Sequence, residues 1–337
     1  PPDTLDFQAA PRSAAGFLEV TYRRIPKIVL RGGLRASKHS RLPDWIVTPR
    51  LNANWRFRPR WQFKAAWGRF SQLLSTSAEY GFYSVASLLF PPVGDTIPMA
   101  THYLAGLSYD NNAGLAAEVM FYRKDYSHLL YIDRDHSIAF GPAWGSGLEL
   151  SLAYSPRDDL SVQAAYTYAT IRKRQADETF YPNYDQRHKL NVILRLPQFR
   201  RWEPTLSWSF NTGRPANLVE SLYLAGQIGN YHPNDDYVSS YISPWPFMLP
   251  MPKNFLRYPT YHRLDLMLSR TKQTKKGRRT FFLQVVNLYA RKNVIYYDDI
   301  VRERKKSKDN NVKRYVWKAT GFNGFPFLPL VGISYEY

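Results

Sequence analysis

Apolar and polar residues alternate with period two along almost the whole chain. The cleanest run is LSVQAAYTYA, with Leu160, Val162, Ala164, Tyr166 and Tyr168 on one face and Ser161, Gln163, Ala165, Thr167 and Ala169 on the other. Just before it, GLELSLAYS sets Leu148, Leu150, Leu152 and Tyr154 against Glu149, Ser151 and Ala153, and the turn SPRDD joins the two as a hairpin. PRLNANWRF, KLNVILRL and RLDLMLSR repeat the pattern, each with charge on its polar face. Such runs predict about thirteen strands, near 14–23, 27–36, 45–58, 60–71, 100–110, 114–127, 144–156, 159–172, 185–197, 202–213, 261–272, 278–290 and 326–337. Helical periodicity is nearly absent.

The connections alternate in length. RRIPK, RPR, DNNAG, SPRDD, PQFRR and KQTKKGRR are short, and between them lie long connections near 37–44, 72–99, 128–143, 173–184, 214–260 and 291–325. Strict alternation places every second turn at the same end of an up-and-down sheet. One end is then tight and the other elaborated, which is the form of outer-membrane barrels. A soluble sandwich or propeller also alternates its strands. It does not gather its long connections at one end, and its strands are usually about half as long as these. The fold class expected is therefore all-β, an antiparallel up-and-down transmembrane β-barrel.

Composition narrows this further. Aromatic residues make up 16% of the 337 positions, 25 of them Tyr. Tyr suits places with one apolar and one wet side, such as a membrane interface. A net charge of +19 points to anionic surroundings: lipid phosphate, nucleic acid or an acidic ligand. There is no cysteine, so disulfides and thiolate metal sites are excluded. No run of 18 apolar residues occurs, which excludes a transmembrane helix but not barrel strands. A mean hydropathy of -0.44 is no argument against the membrane for the same reason. The opening PPDTLDFQAAPRSAAG lacks the basic and apolar regions of a signal peptide.

Seven stretches carry a family resemblance: TPRLNANWRFRPRWQFKAAWGRFSQ, AAEVMFYRKDYSHLLYID, GLELSLAYSPRDDLSVQAAYTYA, YPNYDQRHKLNV, YHRLDLMLSR, FFLQVVNLYARKNV and the closing FPFLPLVGISYEY. In order and spacing they resemble the C-terminal part of a TonB-dependent outer-membrane receptor. Tyr184–His188 and Asn287–Tyr289 are the most characteristic. The resemblance implies the outer membrane of a Gram-negative bacterium and a barrel of about 22 strands around an N-terminal plug. It implies ligand binding by extracellular loops and import through the lumen, energised by TonB acting on the plug. We expect residues 1–337 to be about the last thirteen strands of that barrel, with plug, TonB box and first strands absent from this chain. Either a longer receptor or a second polypeptide supplies them, because an open set of strands leaves unpaired backbone groups in lipid. The alternative function is a barrel or anchor subunit of a multi-chain outer-membrane assembly without import of its own.

Gly332, Tyr335 and Tyr337 resemble the signal read by the barrel-assembly machinery, from which Leu330 departs. Arg50, Arg56, Lys64 and Arg195 lie on polar strand faces and would point into a lumen, where Glu118, Glu149 and Asp265 are available to pair with them. Arg302, Arg304, Lys305, Lys306 and Lys308 form a basic segment before the last strand. It suits an anionic ligand or lipopolysaccharide phosphates, or is simply solvated. Tyr237, Tyr241 and Trp245 lie on a Pro-rich connection that suits a flat or sugar ligand, or packs on its neighbours. Expected partners are outer-membrane lipid and lipopolysaccharide, the barrel-assembly machinery, and TonB through a plug. No cofactor motif, phosphate loop or nucleophile elbow is present, and Asp133, Asp135, His136 and His128 lack metal-site spacing. Neither catalysis nor nucleic-acid binding is expected, since no recognition helix or RNA-binding motif accompanies the charge.

Overall fold

The structure, a computed structural model, describes residues 12–73, 75–76, 89–90, 96–132, 138–216, 222–224, 246–248, 254, 256–275, 277–305, 314–324 and 326–336. Thirteen long strands form one antiparallel sheet in sequence order. They are β1 (Ser13–Tyr22), β2 (Ile28–His39), β3 (Ile46–Arg58), β4 (Trp61–Ser71), β5 (Met99–Asp110), β6 (Leu115–Ile132) and β7 (Ile138–Arg157). The rest are β8 (Leu160–Gln175), β9 (His188–Arg195), β10 (Glu203–Asn211), β11 (Tyr261–Thr274), β12 (Gly277–Val286) and β13 (Leu328–Glu336). A short strand, Glu178–Phe180, folds back on the end of β8. Among the described residues β1 pairs only with β2, and β13 only with β12.

The expected strands are all present, with instructive changes at their ends. β6 and β7 run on past 127 and begin before 144, because their pairing shifts register between Tyr126 and Leu129 and then resumes. His128, at φ 58°, takes up the slack. A bulge of this kind breaks the alternation without ending the strand. β9 starts at His188 rather than 185, and β12 stops at Val286, with Asn287 at φ 57° turning the chain out of the sheet. Part of the long connection 291–325 is itself ordered: Val294–Lys305 pairs with Arg314–Asn323 as a separate hairpin. Its crowded charges had hidden the β pattern.

Register fixes the faces. Leu51, Phe63 and Leu107 share one side of β3, β4 and β5, and Leu150, Tyr166, Leu190, Trp208, Leu264, Leu283 and Val331 continue that side through β13. Many of its large apolar residues are exposed, among them Leu34, Trp55, Tyr103, Leu152 and Ile333. A continuous apolar face of this extent needs lipid rather than water. The other face is small, polar and charged. Buried residues cluster at the long-connection ends of the strands, as with Leu42, Ile46 and Ile97, which pack with Leu73 and Met99. Packing in this molecule therefore sits at one rim, not between layers.

Gly332 illustrates the closeness of the polar face. It opposes Phe282 across β12 and β13, and a Cβ there would overlap the Phe282 ring. Only glycine leaves the ring room to lie flat over the strand.

Candidate functional site: the polar face and the long-connection rim

The four expected lumen cations share the polar face, but each meets a different environment. Lys64 opposes Gly106 on β5, so no side chain stands between its ammonium and the Glu118 carboxylate on β6, with which it pairs. Arg195 Nη2 lies 3.3 Å from Glu203 Oε2. The Arg50 guanidinium sits 4.8 Å from the centre of the Phe70 ring, a cation–π contact. Arg56 is exposed and lines a trough of about 640 Å³ with Arg60, Lys64, Glu118, Gln163 and Asn191. Of the three acidic partners expected, Glu118 takes Lys64, whereas Asp265 takes Arg263 at 2.9 Å. Glu149 pairs with none of the four cations among the described residues. Arg31 with Glu19 (3.4 Å) and Arg278 with Glu336 (2.8 Å) extend the series. Apart from Asp265, whose side chain is 14% exposed, the groups in these pairs are open to water, and such pairs stabilise by about 0–1 kcal/mol each at most. The trough lies at the short-turn end, away from the long connections.

At the other end two hydrogen-bonded knots tie down the feet of the long connections. In the first, Asp185 is 1% exposed in its side chain. Its Oδ1 accepts from the Ile171 N–H at 3.0 Å, and its Oδ2 takes Nη2 of Arg257. Arg257 Nη1 donates to the carbonyls of Asp185 and Gly213, both at 3.0 Å. The Tyr181 ring receives the guanidinium groups of Arg187, Arg172 and Arg257 at 4.8, 5.3 and 5.6 Å. Its hydroxyl also accepts from Arg172 Nη2 at 3.1 Å, and Asn254 Nδ2 donates to its carbonyl at 2.8 Å. Connections 176–187 and 212–260 are thus clamped together at their bases.

In the second knot Asn287 is completely buried. Its N–H donates to Asp265 Oδ1 at 2.8 Å, its Nδ2 donates to the Arg291 carbonyl at 2.9 Å, and its Oδ1 accepts from the Arg291 N–H at 3.1 Å. Asn293 grips His262 in both directions, at 3.1 and 3.0 Å. Arg214 Nη2 donates to the Ile295 carbonyl at 3.2 Å and links the two knots.

Asp185 and Asn287 fall inside the two stretches singled out in the sequence. Tyr181, Arg291 and Asn293 also fall inside the seven stretches quoted above, without a role being assigned to them, whereas Arg257 falls in none, because nothing local in the sequence ties it to a carboxylate 72 positions away. Of the loop residues expected to meet a ligand, Lys306, Lys308, Tyr237, Tyr241 and Trp245 lie outside the described residues. Arg302, Arg304 and Lys305 lie on the Val294–Lys305 strand of the separate hairpin. Gly332 and Tyr335 of the assembly signal lie on opposite faces of β13, and Tyr337 is outside the described residues. The metal candidates Asp133, Asp135 and His136 are outside them as well.

A family model described as TonB dependent receptor-like, beta-barrel matches residues 2–288. The chain belongs to this family. It is accordingly an outer-membrane β-barrel protein. No curated protein matches it in sequence. Among solved structures it is similar to the ferric-catecholate import receptor Fiu of Escherichia coli K12, with 12% identity, a TM-score of 0.61, and 96% of this chain against 44% of Fiu covered. It is equally similar to the FrpB iron transporter of Neisseria meningitidis, with 11% identity, a TM-score of 0.63, and 97% against 44% covered. At these identities the likeness is one of fold. This TonB receptor-like chain spans a little under half the length of either relative.

Proposed function

We propose that the chain supplies the wall of an outer-membrane receptor barrel and the scaffold that holds its extracellular loops. One observation carries this: a sequential sheet with a lipid-suited face and a charged face, whose long connections are knotted together at a single rim. The finer reading is that β1–β13 are the last thirteen strands of a barrel of about 22, short turns in the periplasm and long connections outside. The polar face then borders a lumen or plug, and its ion pairs fix the wall rather than bind cargo. A plug and TonB belonging to the same system would energise import. The basic hairpin bearing Arg302, Arg304 and Lys305 suits an anionic ligand, and an anionic ferric chelate fits both that charge and the ferric catecholate that Fiu imports.

The second reading is an anchor subunit of a multi-chain assembly, favoured by the free edges of β1 and β13, which another polypeptide can pair. Intact mass of the protein extracted from the outer membrane separates the two. A species well above 39.3 kDa supports a single receptor, and a 39.3 kDa species held by a second polypeptide supports the subunit. A 39.3 kDa species that is folded and alone refutes both.

Gly332, Tyr335 and Tyr337 serve as the assembly signal in this reading. Tyr335 faces lipid opposite Arg279, and its hydroxyl lies 3.2 Å from Thr274 Oγ1. Deleting Tyr337 is expected to lower the outer-membrane level of the protein in fractionated cells. An unchanged level would show that the terminal aromatic is not read.

A further inference from the structure

The short-turn end of the sheet is not uniform in charge. Its middle turns carry Asp110, Asp158 and Asp159, whereas the turns joining β9 to β10 and β11 to β12 are basic. On β11 the lipid-suited row Leu264, Leu266, Leu268 continues into Arg270 and Lys272. Lys272 stands directly opposite Arg279 of β12, and Arg270 opposite Phe281. Two like charges facing each other across strands repel. Among the described residues no acidic side chain shares their face there, because Glu203 and Glu336 lie on the other side of the sheet and are held by Arg195 and Arg278. Lys272, Arg279 and Arg270 are all exposed.

The neighbouring turn adds a second, independent feature. Phe199 and Trp202 exchange two backbone hydrogen bonds of 2.9 Å around Arg200 and Arg201, which sit at φ 47° and 71°. This is the form of a type I′ turn, in which Asn-Gly is the favoured pair. Two arginines are held there against their backbone preference. Phe199 is 66% exposed, with the Arg200 guanidinium 5.3 Å from its ring centre. Trp202 packs edge-on against Phe281 at 5.8 Å, so the turn reaches across β11 to β12. Aromatic rings of this kind mark the membrane interface.

We propose that Arg200, Arg201, Arg270, Lys272 and Arg279 form an outward-facing site for the phosphate of an anionic glycerophospholipid in the inner leaflet. The phosphate sits between the opposed Lys272 and Arg279 and relieves their repulsion, while Phe199, Trp202 and Phe281 hold the glycerol and upper acyl region. The source of the phosphate rests on the orientation given above, with short turns on the periplasmic side.

The test titrates the intact protein, extracted in neutral detergent, with dioleoyl phosphatidylglycerol, phosphatidylcholine and lipid A, and reads bound lipid by native mass spectrometry. Phosphatidylglycerol is expected to be retained in preference to phosphatidylcholine. The double variant Lys272→Gln, Arg279→Gln should bind it about thirtyfold more weakly, at roughly 1 kcal/mol per interfacial charge. Arg200→Asn with Arg201→Gly should lose a similar factor while its thermal midpoint holds or rises, because the turn is then unstrained. Lys189→Gln, on the other face, should bind as the parent does. Equal retention of phosphatidylglycerol and phosphatidylcholine by the parent overturns the site, as does undiminished phosphatidylglycerol binding by both folded double variants. Preference for lipid A over phosphatidylglycerol overturns the inner-leaflet source and, with it, the orientation.

Discussion

Arg257→Ala lowers stability by about 3 kcal/mol and loosens the rim before the rest of the sheet. The reason is the carboxylate it leaves behind. Asp185 is almost fully buried, and without Arg257 its near partners are the Ile171 N–H and Arg187 Nε, the latter 3.9 Å away. Breaking a buried pair from one side leaves an uncompensated charge and costs about 3–5 kcal/mol. The lower end applies because the Arg257 side chain is 30% exposed. Two further bonds are lost, to the carbonyls of Asp185 and Gly213, and these join the feet of connections 176–187 and 212–260. The denaturant midpoint of the folded protein in detergent reads the energy, and limited proteolysis within 212–260 reads the local release. Asp185→Asn in the Arg257→Ala background should recover part of the loss, since the charge that could not be solvated is gone. A midpoint unchanged by Arg257→Ala would mean that water already solvates Asp185.

Asn287→Ala is expected to cost a similar amount, about 3 kcal/mol, by a different route. The Arg291 N–H and carbonyl both lose their partner, and each unsatisfied buried group costs about 1–3 kcal/mol. Alanine also tolerates φ 57° less well than asparagine. Asn287→Gly separates the two causes: it keeps the backbone and loses the bonds, so it should fall between parent and alanine. The same denaturant midpoints decide this, and glycine equal to the parent would assign the whole effect to the backbone. Cleavage within 288–324 should rise in step, because Asn287 and Asn293 together root the connection that carries the basic hairpin.

The wall of the barrel was legible in the sequence because period two survives wherever one face meets lipid. Leu150, Leu152 and Tyr154 cannot move to the other face without turning the Glu149 carboxylate and the Ser151 hydroxyl toward lipid. Legibility fails at the long-connection rim, where nothing enforces alternation. There β6 and β7 continue through a bulge at His128, and the 294–305 hairpin hides among charges. The Lys64–Glu118 pair could be foreseen from face and position alone. The Asp185–Arg257 pair could not, since its geometry is set by where two connections happen to cross. Asn287 sits in a stretch the sequence marked, but its role is to end β12 rather than extend it. The backbone conformation by which it does so, at φ 57°, leaves no mark in the sequence.

Every pairing in the main sheet joins strands that are neighbours in sequence. Such a meander can be laid down one hairpin at a time, and because the entropy of closure grows only slowly with loop length even the long connections add little to each step. The free edges of β1 and β13 are different. In the proposed single-receptor barrel β1 takes the strand that precedes it through one more hairpin, whereas β13 meets its partner only across the whole circumference. In that proposed barrel, chain entropy places the slow step of assembly at the β13 seam rather than within the wall.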